Sequence, residues 1–195
     1  MNNKEVINNH SLSKKTGNLI IVQTILAAAA LFISLYGIIA SLEMASSTYR
    51  IVVYVLQAAV CLAMAVFGAG YLKKMDAKYF KGIVLAYALL EAVRVSLLQT
   101  GGIGAIYSAM AKFVLVLLVL AASLLSERLE KKESVYLAFA MLALEILLYL
   151  VFLVGFPDVR TKLLFIVAPL VGIFMSASVS VFVKARWEQI THSKN

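Results

Sequence analysis

The stretch GNLIIVQTILAAAALFISLYGIIASL, Gly17 to Leu42, decides the fold class, because its 26 consecutive residues carry no charge. A bilayer's hydrocarbon core is about 30 Å thick, which about 20 apolar residues cover at a helical rise of 1.5 Å each. The run follows Lys14 and Lys15, as the apolar part of a signal peptide would. Such a segment holds roughly 7–15 residues, and cutting after the alanines Ala27 to Ala30 would discard half a good span. The stretch therefore reads as an uncleaved transmembrane helix.

Five further stretches qualify on the same ground: Ile51 to Leu72, Tyr79 to Gln99, Gly104 to Leu125, Val135 to Val154 and Leu163 to Lys184. Short polar connections separate them, so neighbouring helices are expected to run antiparallel. The whole chain agrees. Its 195 residues are 63% hydrophobic and 14% charged, with mean hydropathy +0.94, and a soluble domain of this length has too little interior for that much apolar surface. The expected fold is an all-α membrane protein, a compact bundle of six transmembrane helices. Residues 1–16 form a polar N-terminal tail, 17–184 the transmembrane domain and 185–195 a polar C-terminal tail.

Charge distribution orients the bundle. Lys4, Lys14 and Lys15 precede helix 1. Lys73, Lys74, Lys78 and Lys81 join helices 2 and 3, and Arg128, Lys131 and Lys132 join helices 4 and 5. Lys184, Arg186 and Lys194 follow helix 6. The alternate loops hold only Arg50, Arg160 and Lys162. Cytoplasmic loops collect Lys and Arg, so both termini are expected in the cytoplasm of a multi-pass cell-membrane protein, in all expectation a bacterial cytoplasmic membrane. The net charge of +8 thus follows topology; it suits anionic lipid at the cytoplasmic face and gives no reading surface for nucleic acid. Tyr71, Tyr79, Tyr136 and Trp187 fall at the expected inner boundary, and Tyr49, Tyr107 and Phe156 near the outer one, where amphipathic rings sit at headgroup depth.

Shifting the chain by 54 residues lays ALLEAVRVSLLQTG (Ala88 to Gly101) over LALEILLYLVFLVG (Leu142 to Gly155), matching Glu91 to Glu145. That offset suggests duplicated hairpins, helices 2–3 and 4–5. Small residues at steps of three and four mark contact faces in lipid, where close backbone approach drives association. Gln23, Ala27, Ala30, Ser34, Gly37 and Ser41 form such a stripe on helix 1. Tyr54, Gln57, Cys61, Ala65 and Gly68 form one on helix 2, and Ala168, Gly172, Ser176 and Ser180 one on helix 6, where Pro169 loosens the outer half.

Four charges lie where lipid is expected: Glu91, Arg94, Lys112 and Glu145. An ionised side chain at the bilayer centre costs about 2.5–3.5 kcal/mol on insertion scales, so each is expected to face the bundle interior with a partner. Lys112 leans toward the outer surface and can reach water there, whereas Arg94 leans toward the centre and needs an acid more. Tyr87, Glu91 and Arg94 share one stripe of helix 3, and Met141, Glu145 and Tyr149 one stripe of helix 5. Facing each other, they make a polar core to which Tyr54 and Gln57 add lining. The bland alternative is that Glu91–Arg94 and Glu145–Lys112 are structural pairs that fix helix register.

Catalytic constellations are missing from the sequence. His10 and His192 lie in the tails, the single Cys61 lies in an apolar run, and no HExxH, GxSxG, Walker A or dinucleotide pattern occurs. No cofactor or metal is expected and an enzyme is not. The chain is similar in length and span number to the six-helix substrate-binding subunits of energy-coupling-factor vitamin transporters, a likeness of architecture that carries no function. The leading expectation is a small transporter, channel or substrate-capture subunit for an ion or small polar solute, with Glu91, Arg94, Lys112 and Glu145 at its site. At this size a homo-oligomer or a larger membrane complex is expected. The alternative is a non-catalytic membrane subunit, scaffold or immunity-type protein whose charges only hold the bundle together.

Overall fold

A computed structural model of the chain describes residues 14–44, 48–73, 76–96, 104–156 and 158–192. These form six α-helices: α1 (Lys14–Glu43), α2 (Thr48–Tyr71), α3 (Lys78–Ser96), α4 (Ala105–Glu127), α5 (Glu133–Gly155) and α6 (Val159–His192). Five of them, all but α3, are long and apolar enough to cross a membrane. The exception carries Lys78, Lys81, Glu91 and Arg94 within its length.

Chain-order neighbours pack together, and α6 closes on α1, so the six helices make a ring with α2 and α6 touching across it. Named contacts fix the direction of the strands of this ring. Lys15 pairs with Glu188 at 3.1 Å, the Gln23 amide donates to Ser178 Oγ at 3.2 Å, and a side chain at Gly37 would meet Val167. Rising numbers on α1 thus meet falling numbers on α6, and the start of α1 and the end of α6 lie together at one end of the bundle, the termini end.

Which residues face outward explains why the ring holds. Phe32, Ile25, Ile39, Leu89, Ile106, Phe113 and Val154 are exposed, while Gln23, Ser34, Gln57, Glu91, Glu145 and Ser176 are fully enclosed. A protein in water would gain by the reverse arrangement; with hydrocarbon outside, the polar groups are better inside. The small-residue stripes do the packing. All six stripe positions of α1 are buried, and so are those of α6 and all but Ala65 on α2. A methyl at Gly37 would lie 2.8 Å from the Tyr54 ring, so only glycine lets α1 and α2 approach there.

Polar bonds lock this packing. Gln23 also donates to the Met64 carbonyl at 3.2 Å, and the Ser178 hydroxyl donates to the Gln23 carbonyl at 3.0 Å, joining α1, α2 and α6. The Ser180 hydroxyl donates across to the Ala138 carbonyl at 2.9 Å, joining α6 to α5. Interhelical bonds of this kind contribute about 0.6 kcal/mol on average in membranes. Ser180→Ala should therefore lower stability by about that amount, read as a small drop in thermal midpoint in detergent, with the helix content by circular dichroism unchanged.

Helix boundaries depart from the sequence expectation mainly at α6, which continues to His192 rather than stopping near Lys184. The extension has partners: Glu188 pairs with Lys15, Arg186 lies 3.9 Å from Glu130, and Gln189 accepts from Tyr71 at 2.9 Å. At the start of α3, Asp76 accepts the Lys78 backbone N–H at 2.9 Å, which holds its exposed carboxyl below the usual carboxylate range. Two aromatic assignments also change. Tyr79 and Tyr136 are exposed, in keeping with an interfacial role, but Tyr71 and Phe156 turn into the bundle. Both find ring partners there that outweigh a place at the boundary.

Candidate functional site

Four rings close the interior at the end that bears the termini. Phe182 of α6 sits 4.2 Å from Phe80 of α3, and 5.0 Å and 5.1 Å from Phe67 and Tyr71 of α2, centroid to centroid. Above the rings, on the side of the termini, Tyr71 donates to Gln189 and receives from Arg186 at 3.3 Å. At the opposite end Phe165 stacks on Phe156 at 4.2 Å, and the Arg50 guanidinium lies 4.5 Å from the Phe165 ring centroid, a cation–π contact between α2 and α6.

These rings serve as a ruler. Gln57 lies ten residues from Phe67 along α2, Gly172 ten from Phe182 along α6, and Glu91 eleven from Phe80 along α3. At the helical rise all three stand about 15–17 Å from the aromatic closure, at a similar depth. Each is also buried. Gln57 lies on the α2 stripe with Cys61 and Gly68, positions that meet Ser34, Gln23 and Thr24 of α1. Phe80, Tyr87 and Glu91 make the matching stripe of α3.

Glu145 of α5 enters the same layer. Its carboxylate rests on the α6 backbone at Gly172, where any Cβ would collide with it. The Tyr87 hydroxyl donates a hydrogen bond to that carboxylate. Among the described residues the α3 and α5 backbones do not approach each other, so the bond crosses the interior of the ring and ties α3, α5 and α6 at one point. Tyr87 and Glu145, one residue from each of the two stripes anticipated from sequence, thus meet. The phenol orients the carboxylate within the bundle interior.

The eight residues singled out from sequence separate as follows. Tyr87 and Glu145 are joined directly; Glu91 is wholly buried one turn along from Tyr87, and Gln57 lies in the same layer. Tyr54 is buried beside Gly37, between α1 and α2. Tyr149 is only half-buried, at the edge of the α5 stripe. Lys112 is not brought to the site: it is exposed and makes no ion pair among the described residues. The inward face of α4 is Ser108, Ala111, Leu115, Leu118 and Ala122, and Lys112 falls about 100° away from Ala111. The expected Glu145–Lys112 pair is therefore absent. The Arg94 side chain lies outside the described residues.

Gln57, like Ser41 and Ser176, is a buried polar side chain without a hydrogen-bond partner among the described residues. Neither its amide oxygen nor its amide nitrogen has a hydrogen-bond partner among the described residues, although the side chain is 1% exposed. Leaving such a group unsatisfied costs about 1–3 kcal/mol. Sequence reasoning placed Gln57 in a lining but had no means of seeing this, and it treated Gly172 only as a packing residue. A glycine at mid-span opposite a mid-span acid was the available signal. Among the described residues no group of three or more His, Cys, Asp or Glu side chains is placed to hold a metal ion. No family model, no curated protein and no solved structure matches the chain, so its own geometry is what a functional reading stands on.

Proposed function

We propose that the protein is a six-span cell-membrane protein that captures or conducts a small ion or polar solute at the Glu91–Glu145–Tyr87–Gln57 layer. In this reading α3 is the sixth span, made tolerable by turning its acid inward, and the termini end is cytoplasmic, as the Lys- and Arg-rich loops favour. The observation that carries it is the burial of two glutamates from different helices in one interior layer, closed off by aromatic rings at the termini end. Such groups are expensive in a membrane and are retained where ions or solutes pass. The 54-residue offset adds support for a duplicated origin, since it equates these two fully buried acids. Assembly into a homo-oligomer or a larger complex, with anionic lipid along the basic face, fits the small size of the chain and the distribution of its lysines.

The test uses purified protein in liposomes and in detergent, challenged with sodium, potassium, protons, amino acids and amines. Glu91→Gln and Glu145→Gln should each weaken the solute that stabilises or crosses by roughly tenfold or more, as loss of a charged hydrogen-bond partner does. Variants that bind and pass every solute as the unaltered protein does would refute a transport role. One observation favours the structural alternative, a scaffold or immunity-type subunit: Glu145 seated on Gly172 and held by Tyr87 is a three-helix clasp that could serve register alone. Under that alternative Glu145→Leu changes folding yield and alters no solute-dependent property.

A further inference from the structure

We infer that α4 carries a binding site for an anionic phospholipid at the end of the bundle opposite the termini, with Lys112 taking the lipid phosphate. The site lies on the outer surface of the ring and stands apart from the interior layer. Three observations carry it: a base exposed within a span, its depth, and a bare strip of helix beside it.

α4 is long and apolar enough to cross a membrane, and Lys112 stands exposed on it among Ile106, Met110, Phe113, Val116 and Leu120, which are exposed too. Its ammonium makes no ion pair among the described residues. Facing hydrocarbon, such a charge calls for a counter-charge. Depth says which. The 23 residues of α4 run about 34 Å, roughly 4 Å more than a hydrocarbon core, and Lys112 lies about 10 Å along the axis from Ala105. Its α-carbon is then about 8 Å inside the hydrocarbon boundary. The four-carbon stem leans back toward the start of the helix and carries the ammonium toward the lipid phosphates. Ala111, next in sequence, packs in one cluster with Phe156 and Phe165, which fixes this as the end opposite the termini.

The path along the helix is open. Ala105 and Ala109 precede Lys112 at steps of four and three on the same face, and both are exposed. Their methyls leave a shallow strip bordered by Ile106 and Phe113, 75% and 64% exposed, along which the stem lies and a headgroup descends. A second copy of the chain fits less well. Its mid-span acids, Glu91 and Glu145, are buried, and its exposed acids among the described residues lie at or beyond helix ends. A phosphodiester supplies the counter-charge at the right depth. A headgroup with net negative charge is favoured over a zwitterionic one, which brings its own cation to compete for the phosphate.

The experiment is native mass spectrometry of the purified full chain in detergent, titrated with dioleoylphosphatidylglycerol, dioleoylphosphatidylcholine or dioleoylglycerol. The last has the same acyl chains and no phosphate. Basic loops at the termini end also attract anionic lipid, so the informative quantity is the difference between variants. Lys112→Met should retain one phosphatidylglycerol fewer, its apparent affinity at that site reduced about fivefold, as loss of one base near an anionic lipid surface gives. Lys112→Arg should keep that lipid. Ala109→Phe, which leaves the charge and fills the strip, should lose it. Because residue 112 faces hydrocarbon, the thermal midpoint of Lys112→Met without added lipid should not fall, which separates lost binding from misfolding. Equal phosphatidylglycerol retention by Lys112→Met and the unaltered protein overturns the proposal, and so does equal retention of dioleoylglycerol. A second polypeptide held by the unaltered protein and lost in Lys112→Met overturns it as well, because the counter-charge then comes from a partner span.

Discussion

Gly172→Ala is expected to destabilise the protein by about 1–3 kcal/mol, as overpacking of a tight core does, and to displace the Glu145 carboxylate. The sign is informative. Alanine is the better helix former by about 1 kcal/mol, so a glycine inside a helix with space around it gains from the change. Gly82 in α3 is such a position, exposed and with nothing within 4 Å of the added methyl, and Gly82→Ala should raise stability by up to that amount. At Gly172 the methyl would occupy the place of the Glu145 carboxylate. That carboxylate ends a flexible side chain and can move, but its exits are an apolar interior or lipid, where an ionised acid costs about 2.5–3.5 kcal/mol. Displacement outweighs the propensity gain. Thermal midpoints of the two variants, measured side by side, check the prediction; a Gly172→Ala protein more stable than the parent would show that Glu145 is not seated as described.

The second large effect is expected at Phe182. Its ring is fully buried and touches Phe67, Tyr71 and Phe80 at once, so it is the hub of the closure at the termini end. Truncating a buried phenylalanine costs about 3–5 kcal/mol in water-soluble cores. Here hydrocarbon replaces water as the outer medium, and what is lost is packing rather than burial, so the lower end, about 3 kcal/mol, is expected for Phe182→Ala. The same change removes the barrier between the interior layer and the bundle end. Liposomes carrying Phe182→Ala should leak small cations faster than those carrying the parent, and Phe182→Leu, which refills most of the volume, should restore tightness. An Ala variant as tight and as stable as the parent would remove the closure from the mechanism.

Helix faces were legible in the sequence because period and depth are local properties. The α1 stripe from Gln23 to Ser41 was read from steps of three and four alone, and it is the buried face. Burial of Glu91 and Glu145 followed from the cost of charge in lipid, but the same reasoning placed Lys112 at the site, whereas it is exposed on the outer face of α4. Partnership was not legible. Nothing in the spacing of Tyr87 says that it reaches α5, whose backbone it does not touch, rather than a neighbour in the ring. Tyr71 and Phe156 show the same limit. Their distance from the span ends suggested headgroup depth, but ring partners on other helices drew them inside. The run of α6 to His192 likewise depends on Lys15, Glu130 and Tyr71, residues far away in the chain.

Contact between the first and last helices imposes a schedule on biosynthesis. Gln23 leaves the ribosome early, its Met64 acceptor follows within about forty residues, but Ser178 emerges only when the chain is nearly finished. Until then the Gln23 amide has only its Met64 acceptor of these two. Truncated or stalled chains that lack α6 should consequently be substrates for membrane quality-control proteases, and co-expressing α6 as a separate segment is the natural way to rescue them.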